Sequence, residues 1–106
     1  MNIQIIGDGV EVTDKIRKLV DNKISQKLEK LLSPFSSEMK TATMRIQRQA
    51  RTGDYIVDLD MMLPGKEHIF AKTTHTNITT ALTGLEEQAE KQIKRYRESL
   101  TNYSLG

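Results

Sequence analysis

The chain has 106 residues, 37% hydrophobic and 28% charged, with a mean hydropathy of -0.51. Those values fit one economical globular core and exclude a wholly disordered chain or a second full-sized domain. With no cysteine, disulfides, thiolate chemistry and cysteine-based zinc sites are excluded, and no apolar run approaches membrane-spanning length.

A net charge of +2 and a pI near 8.9 say less than the way the charge is sorted. No acid lies between Glu38 and Asp54, whereas Lys40, Arg45, Arg48 and Arg51 do. Asp54, Asp58 and Asp60 follow as an acidic block, and Glu86, Glu87 and Glu90 later give way to Lys91, Lys94, Arg95 and Arg97. The N-terminus lacks a basic segment followed by a long apolar stretch, so a cytoplasmic protein is expected.

Asn2–Ile6 is β-branched and predicts a first strand, ended by a Gly7-Asp8-Gly9 turn. Thr13 suits the N-cap of a helix from Asp14 to about Leu32, whose apolar stripe is Ile16, Leu19, Val20, Ile24, Leu28 and Leu31. Pro34 and the serines around Phe35 stop it. Thr41 to Gln49 alternates, with Ala42, Met44 and Ile46 on one face and Thr43, Arg45 and Gln47 on the other. After a turn at Arg51-Thr52-Gly53-Asp54, Tyr55, Val57, Leu59, Met61 and Leu63 mark the inner face of a third strand. A hairpin at Pro64-Gly65-Lys66 leads to a fourth over Ile69–Thr74. Asn77 caps a last helix with a stripe at Ile78, Ala81, Leu82, Leu85, Ala89, Ile93, Tyr96 and Leu100, and a short frayed tail is expected from about Thr101. The fold class is therefore α+β, with β-α-β-β-β-α order over a single domain spanning 1–106. The economical arrangement packs both helices on one face of a four-stranded sheet and leaves the other face wet.

Catalysis has no candidate constellation. His68 and His75 have opposite strand parity and point to opposite faces, which disfavours a metal site. Asp58 and Asp60 share a face, but on an open sheet they serve better as cross-strand partners of Arg45 than as paired catalytic carboxylates. A base-stacking platform needs neighbouring aromatics, and that face offers Phe70 alone. The basic residues carry more. Arg17, Lys18, Lys23, Lys27 and Lys30 of the first helix and Lys91, Lys94, Arg95 and Arg97 of the last are placed by the topology on one broad surface, joined by Arg48. Such a surface suits phosphate contacts spread over folded RNA, read by shape more than by sequence. Glu86, Glu87 and Glu90 read as ordinary decoration of the helix.

Several segments resemble one family in order. Val10-Glu11-Val12-Thr13-Asp14-Lys15-Ile16-Arg17 is similar to the opening of the first helix of the ribosome hibernation promoting factors, also called ribosome-associated inhibitors or sigma-54 modulation proteins. Lys23-Ile24 and Lys27-Leu28-Glu29-Lys30-Leu31 resemble that helix's basic stretch, and Met44-Arg45-Ile46-Gln47-Arg48 sits where the family has a short basic strand motif. Pro64-Gly65 matches the hairpin. Ala81-Leu82, Gly84-Leu85 and Lys91-Gln92-Ile93-Lys94-Arg95-Tyr96-Arg97 follow the closing helix without a gap. The resemblance implies a double-stranded-RNA-binding-like topology. It also implies binding to ribosomal RNA of the small ribosomal subunit, in the channel for messenger and transfer RNA, with translation inhibited in stress or stationary phase. Whole ribosomes would be partners, with no cofactor, membrane or small-molecule substrate. Position by position it makes Lys23, Arg48, Lys91, Arg95 and Arg97 RNA contacts, with Arg45 and Lys94 as helpers, and the residue pattern adds Lys27 and Lys30. The chain resembles the short class, which has no dimerising second domain.

Thr79, Thr83 and Gln88 depart from a usual tyrosine, aspartate and lysine, and Thr74 replaces a common acid. The Gln88 departure removes one expected phosphate contact. An alternative from a different class is a protein-interaction modulator of a sigma factor or RNA polymerase, as the older family name suggests.

Overall fold

Side-chain alternation along the strands sets the architecture of the computed structural model, which describes residues 2–33, 41–65 and 67–105. β1 (Asn2–Asp8), β2 (Thr41–Arg48), β3 (Tyr55–Leu63) and β4 (Glu67–His75) form one sheet in the order β1-β2-β3-β4. β1 pairs with β2 in parallel, and the β2–β3 and β3–β4 pairs are antiparallel. The inward row is Ile3 and Ile5, then Ala42, Met44 and Ile46, then Val57, Leu59, Met61 and Leu63, then Ile69 and Ala71. It is buried or partly buried under the helices, as the periodicity requires. Gly7 closes the inward row of β1. A Cβ there would run into the Val10 carbonyl and the Val12 side chain, so glycine is what lets the next segment fold back so closely.

The first helical layer differs from the single helix expected. It comprises α1 (Asp14–Val20), a π-helical turn (Asp21–Ser25) and α2 (Gln26–Leu31). Thr13 caps it, its hydroxyl accepting from the Ile16 N–H at 3.3 Å. The reason for the wide turn is legible in the core. Val20, Ile24, Leu28 and Leu32 are all buried, at strict four-residue spacing. On a regular helix of 3.6 residues per turn such a row would drift by about 40° per step, and a wider turn restores its alignment. The buried stripe accordingly ends on Leu32, and Leu31 is only partly buried. Pro34, Phe35 and Lys66, invoked above for a helix stop and a hairpin, lie outside the described residues, but Gly65 takes the positive φ of 83° that the hairpin needs.

α3 (Ile78–Leu105) is capped by Asn77, whose Oδ1 accepts from the Thr80 N–H at 3.1 Å. It runs to Leu105, past the frayed tail expected from about Thr101. Strand limits also shift: β1 reaches Asp8, β2 stops at Arg48, and β4 spans Glu67–His75 where Ile69–Thr74 was expected. Ala81, Leu82, Leu85, Ala89, Ile93 and Tyr96 form the buried stripe of α3, and the Tyr96 hydroxyl donates to the Pro64 carbonyl at 2.8 Å. Burial and the nearby Glu67 charge push that phenol's pKa up.

Candidate nucleic-acid interface

α3 lies along β4, and that contact fixes which of its faces meets solvent. The Gln92 side chain accepts from the Phe70 N–H at 3.1 Å and donates to the Phe70 carbonyl at 2.6 Å. Gln88 does the same with Lys72, at 3.1 and 3.0 Å. Four residues of helix advance about 6 Å and two residues of strand about 6.6 Å, so glutamines at i and i+4 meet alternate residues of the edge strand. The two amides stand in for a fifth strand. This is the role of Gln88 that the sequence did not disclose.

At about 100° per residue, Lys91 and Lys94 fall on the outer face of α3, opposite the buried stripe, and Arg95 falls on the flank one heptad beyond Gln88; all three are exposed. Arg97 is exposed on the flank shared with Glu86 and Glu90. That flank meets α2 across a 340 Å³ cleft lined by Lys27, Lys30, Leu31, Glu86 and Glu90. Lys23, half-buried, sits in the π turn that also packs on α3. Lys27 and Lys30 thus flank α3 at Glu86 and Glu90, and Lys91, Lys94, Arg95 and Arg97 follow within the next two turns.

Two expected members lie elsewhere. Arg45 is on the other side of the sheet, opposite Asp58 in register, so it cannot share a flat contact with the helical lysines. Arg48 is on the helical side, but in register with Tyr55, which in turn pairs with His75 next to the start of α3. Its guanidinium stacks over the Tyr55 ring, 5.2 Å from the centroid. At about 1.5 Å per residue, Lys91 to Arg97 begin about 20 Å further along α3. Arg48 therefore does not join the two lysine clusters; it forms a separate basic corner at the far end.

The acids also differ from expectation. Glu86 is only 4% exposed, so it is no surface decoration. Burial, and a hydrogen bond with the Glu90 carboxyl, raise its pKa above the ordinary Glu range. The Lys94 ammonium, 2.9 Å from Glu90, and the same carboxyl–carboxyl hydrogen bond hold Glu90 below it. Lys27 favours the ionised form of both. On the open face, Asp60 pairs with His68 at 2.6 Å rather than with Arg45. His75 instead accepts from the Asn77 N–H through Nδ1 at 2.9 Å, so the two histidines do point apart. The described residues hold no group of His, Cys, Asp and Glu suited to a metal. No described helix is long and apolar enough to cross a membrane.

Residues 3–101 match the profile of the family described as Sigma 54 modulation protein / S30EA ribosomal protein. The chain belongs to that family. A curated relative, the ribosome hibernation promotion factor of Lactococcus lactis, is 28% identical over 98 residues, covering 92% of this chain. The chain spans about half the length of that relative, 50% by the same alignment. Two solved structures share the fold. A ribosomal subunit interface protein from Coxiella burnetii superposes with a TM-score of 0.71 at 22% identity, over 92% of this chain and 99% of that one. The N-terminal domain of Protein Y from Thermus thermophilus gives 0.68 at 22% identity, over 91% and 99%. The family member's α+β fold thus agrees with the β-α-β-β-β-α order expected, with the first helix interrupted by its π turn.

Proposed function

We propose that this chain is a ribosome-associated, non-enzymatic factor that docks its helical face on ribosomal RNA of the small subunit and blocks translation. Family membership and the names of its relatives support a ribosomal role. The observation that carries the RNA contact is the exposed row Lys91, Lys94 and Arg95 on α3, flanked by Lys27 and Lys30 on α2. None of these side chains contributes to the buried core; Lys94 is also paired with Glu90, and its charge reaches phosphate only in exchange for that contact. The open face fits RNA less well. Its exposed apolar residues, Ile6, Met62 and Phe70, include a single aromatic, and Asp58 and Asp60 lie among its few cations. Placement in the channel for messenger and transfer RNA, and action in stress, follow the resemblance of the segments quoted above.

The test is co-sedimentation of the purified protein with ribosomes and with small subunits across a salt series. Binding at low salt that is lost as salt rises is expected, because each phosphate contact releases counterions. Salt-insensitive binding, or a stable complex with a sigma factor or polymerase and none with ribosomes, would favour the protein-interaction class instead.

A further inference from the structure

Glu86 is the one buried charged residue among those described. It lies in the middle of the proposed RNA-binding surface. Glu90 stands one turn further along α3 and lines the same cleft, which sets the two carboxyls side by side. Facing the pair from α2 are Lys27 and Lys30 across the cleft, and the π turn brings Lys23. From α3 itself come Glu87, the Lys94 partner of Glu90, and Arg97 on the same flank. β3 sends Val57, Leu59 and Met61 toward α3, with Tyr55 at its far end. On β4 the inward titratable groups, Glu67 and His75, stand at opposite ends of the strand.

We propose that the Glu86–Glu90 pair is a proton-operated control on the basic helical face. Ionised, the pair attracts Lys27 and Lys30 across the cleft and repels phosphate. When it takes up a proton it releases those ammonium groups to an RNA backbone. The proposal rests on the RNA-binding reading above and names the regulation of that site. No bond is made or broken; a proton from solvent is added to a carboxylate, and the surface gains one unit of positive charge. By linkage, a complex that favours the protonated pair takes up protons as it forms, so affinity rises as pH falls. One proton permits at most about a tenfold change per pH unit.

The experiment measures binding of labelled full-length protein to purified ribosomes at fixed low salt, from about pH 8 to about pH 5.5. Wild type is compared with Glu86→Gln, Glu90→Gln and the double variant His68→Gln/His75→Gln. Wild-type affinity is expected to tighten as pH falls, by at most about tenfold per pH unit. Glu86→Gln, whose amide can still donate to Glu90, should bind at the upper pH as tightly as wild type does at the lower, with a flat profile. The histidine variant should keep the rise, because His68 is on the open face and His75 at the far end of α3. A flat wild-type profile, or a rise that persists in both glutamate variants, overturns the proposal while leaving the RNA reading intact. If no variant binds ribosomes at any pH, the RNA reading fails. The same series on heparin, a sulfated polyanion that needs only the basic face, then decides the proton control: a rise that depends on Glu86 sustains it, and its absence overturns it.

Discussion

Burial of one ionisable residue links the stability of this molecule to pH. The folded state raises the pKa of Glu86 above the ordinary value of 4.5, mainly by desolvation. A carboxyl whose folded pKa is raised contributes its full stability when protonated, below the ordinary Glu range. That stability is lost as pH climbs through the raised value. Glu90 carries the opposite sign and is stabilising when ionised, so the two partly offset each other. Glu86→Gln, which has no charge to bury, should therefore melt at a higher temperature than wild type near neutral pH, and the difference should shrink on acidification. Thermal melts across the pH range read this directly. A variant less stable than wild type near neutrality would show that the carboxylate is satisfied rather than strained. Leu85, fully buried, is the simpler case: Leu85→Ala should cost about 2–5 kcal/mol, measured by denaturant unfolding. The importance of Leu85 was legible from its place in the apolar stripe. That of Glu86 was not, because an acid beside a stripe reads as surface until the packing of α2 against α3 is known.

At the scale of elements, the helix pair and the sheet edge obey simple spacing rules. The four-residue spacing of Val20, Ile24 and Leu28 was visible in the sequence, and so was a helix. The π turn was not, because three- and four-residue steps mix along the stripe and an ordinary helix accommodates most of them. The β4 edge is a clearer instance. Gln88 read as a lost phosphate contact, since its meaning depends on β4 being the edge strand and on α3 lying beside it. Without Gln88 and Gln92 the outer N–H and C=O groups of Phe70 and Lys72 would be open to water or to another strand. Gln88→Ala/Gln92→Ala should cost about 1–3 kcal/mol, at about 0.5–1.5 kcal/mol per lost hydrogen bond with partial replacement by water. It should also show concentration-dependent self-association by sedimentation velocity. A double variant that stays monomeric and equally stable would mean that the amides merely rest on the strand.

For the whole molecule, the division of labour runs across the sheet. One face is covered by helices that carry the basic residues outward; the other is open, with Arg45 facing Asp58, Asp60 paired to His68, and Phe70 in register with Asp60. The sequence disclosed the layer order and both faces, because strand parity and helix periodicity are local. It could not place Arg48 at the opposite end from Lys91 and Arg95, because that depends on the direction α3 takes along β4. The most direct test of the central claim is the salt dependence of ribosome binding for Lys91→Glu/Arg95→Glu beside wild type. Both side chains are exposed and off the buried stripe, so the thermal transition should move by no more than about 0.5 kcal/mol in stability. Affinity should fall sharply, and the slope of log affinity against log salt should flatten by about one unit per lost contact. A folded double variant that binds with wild-type affinity and an unchanged slope would contradict the claim, since the exposed side of α3 would then be solvated surface and nothing more.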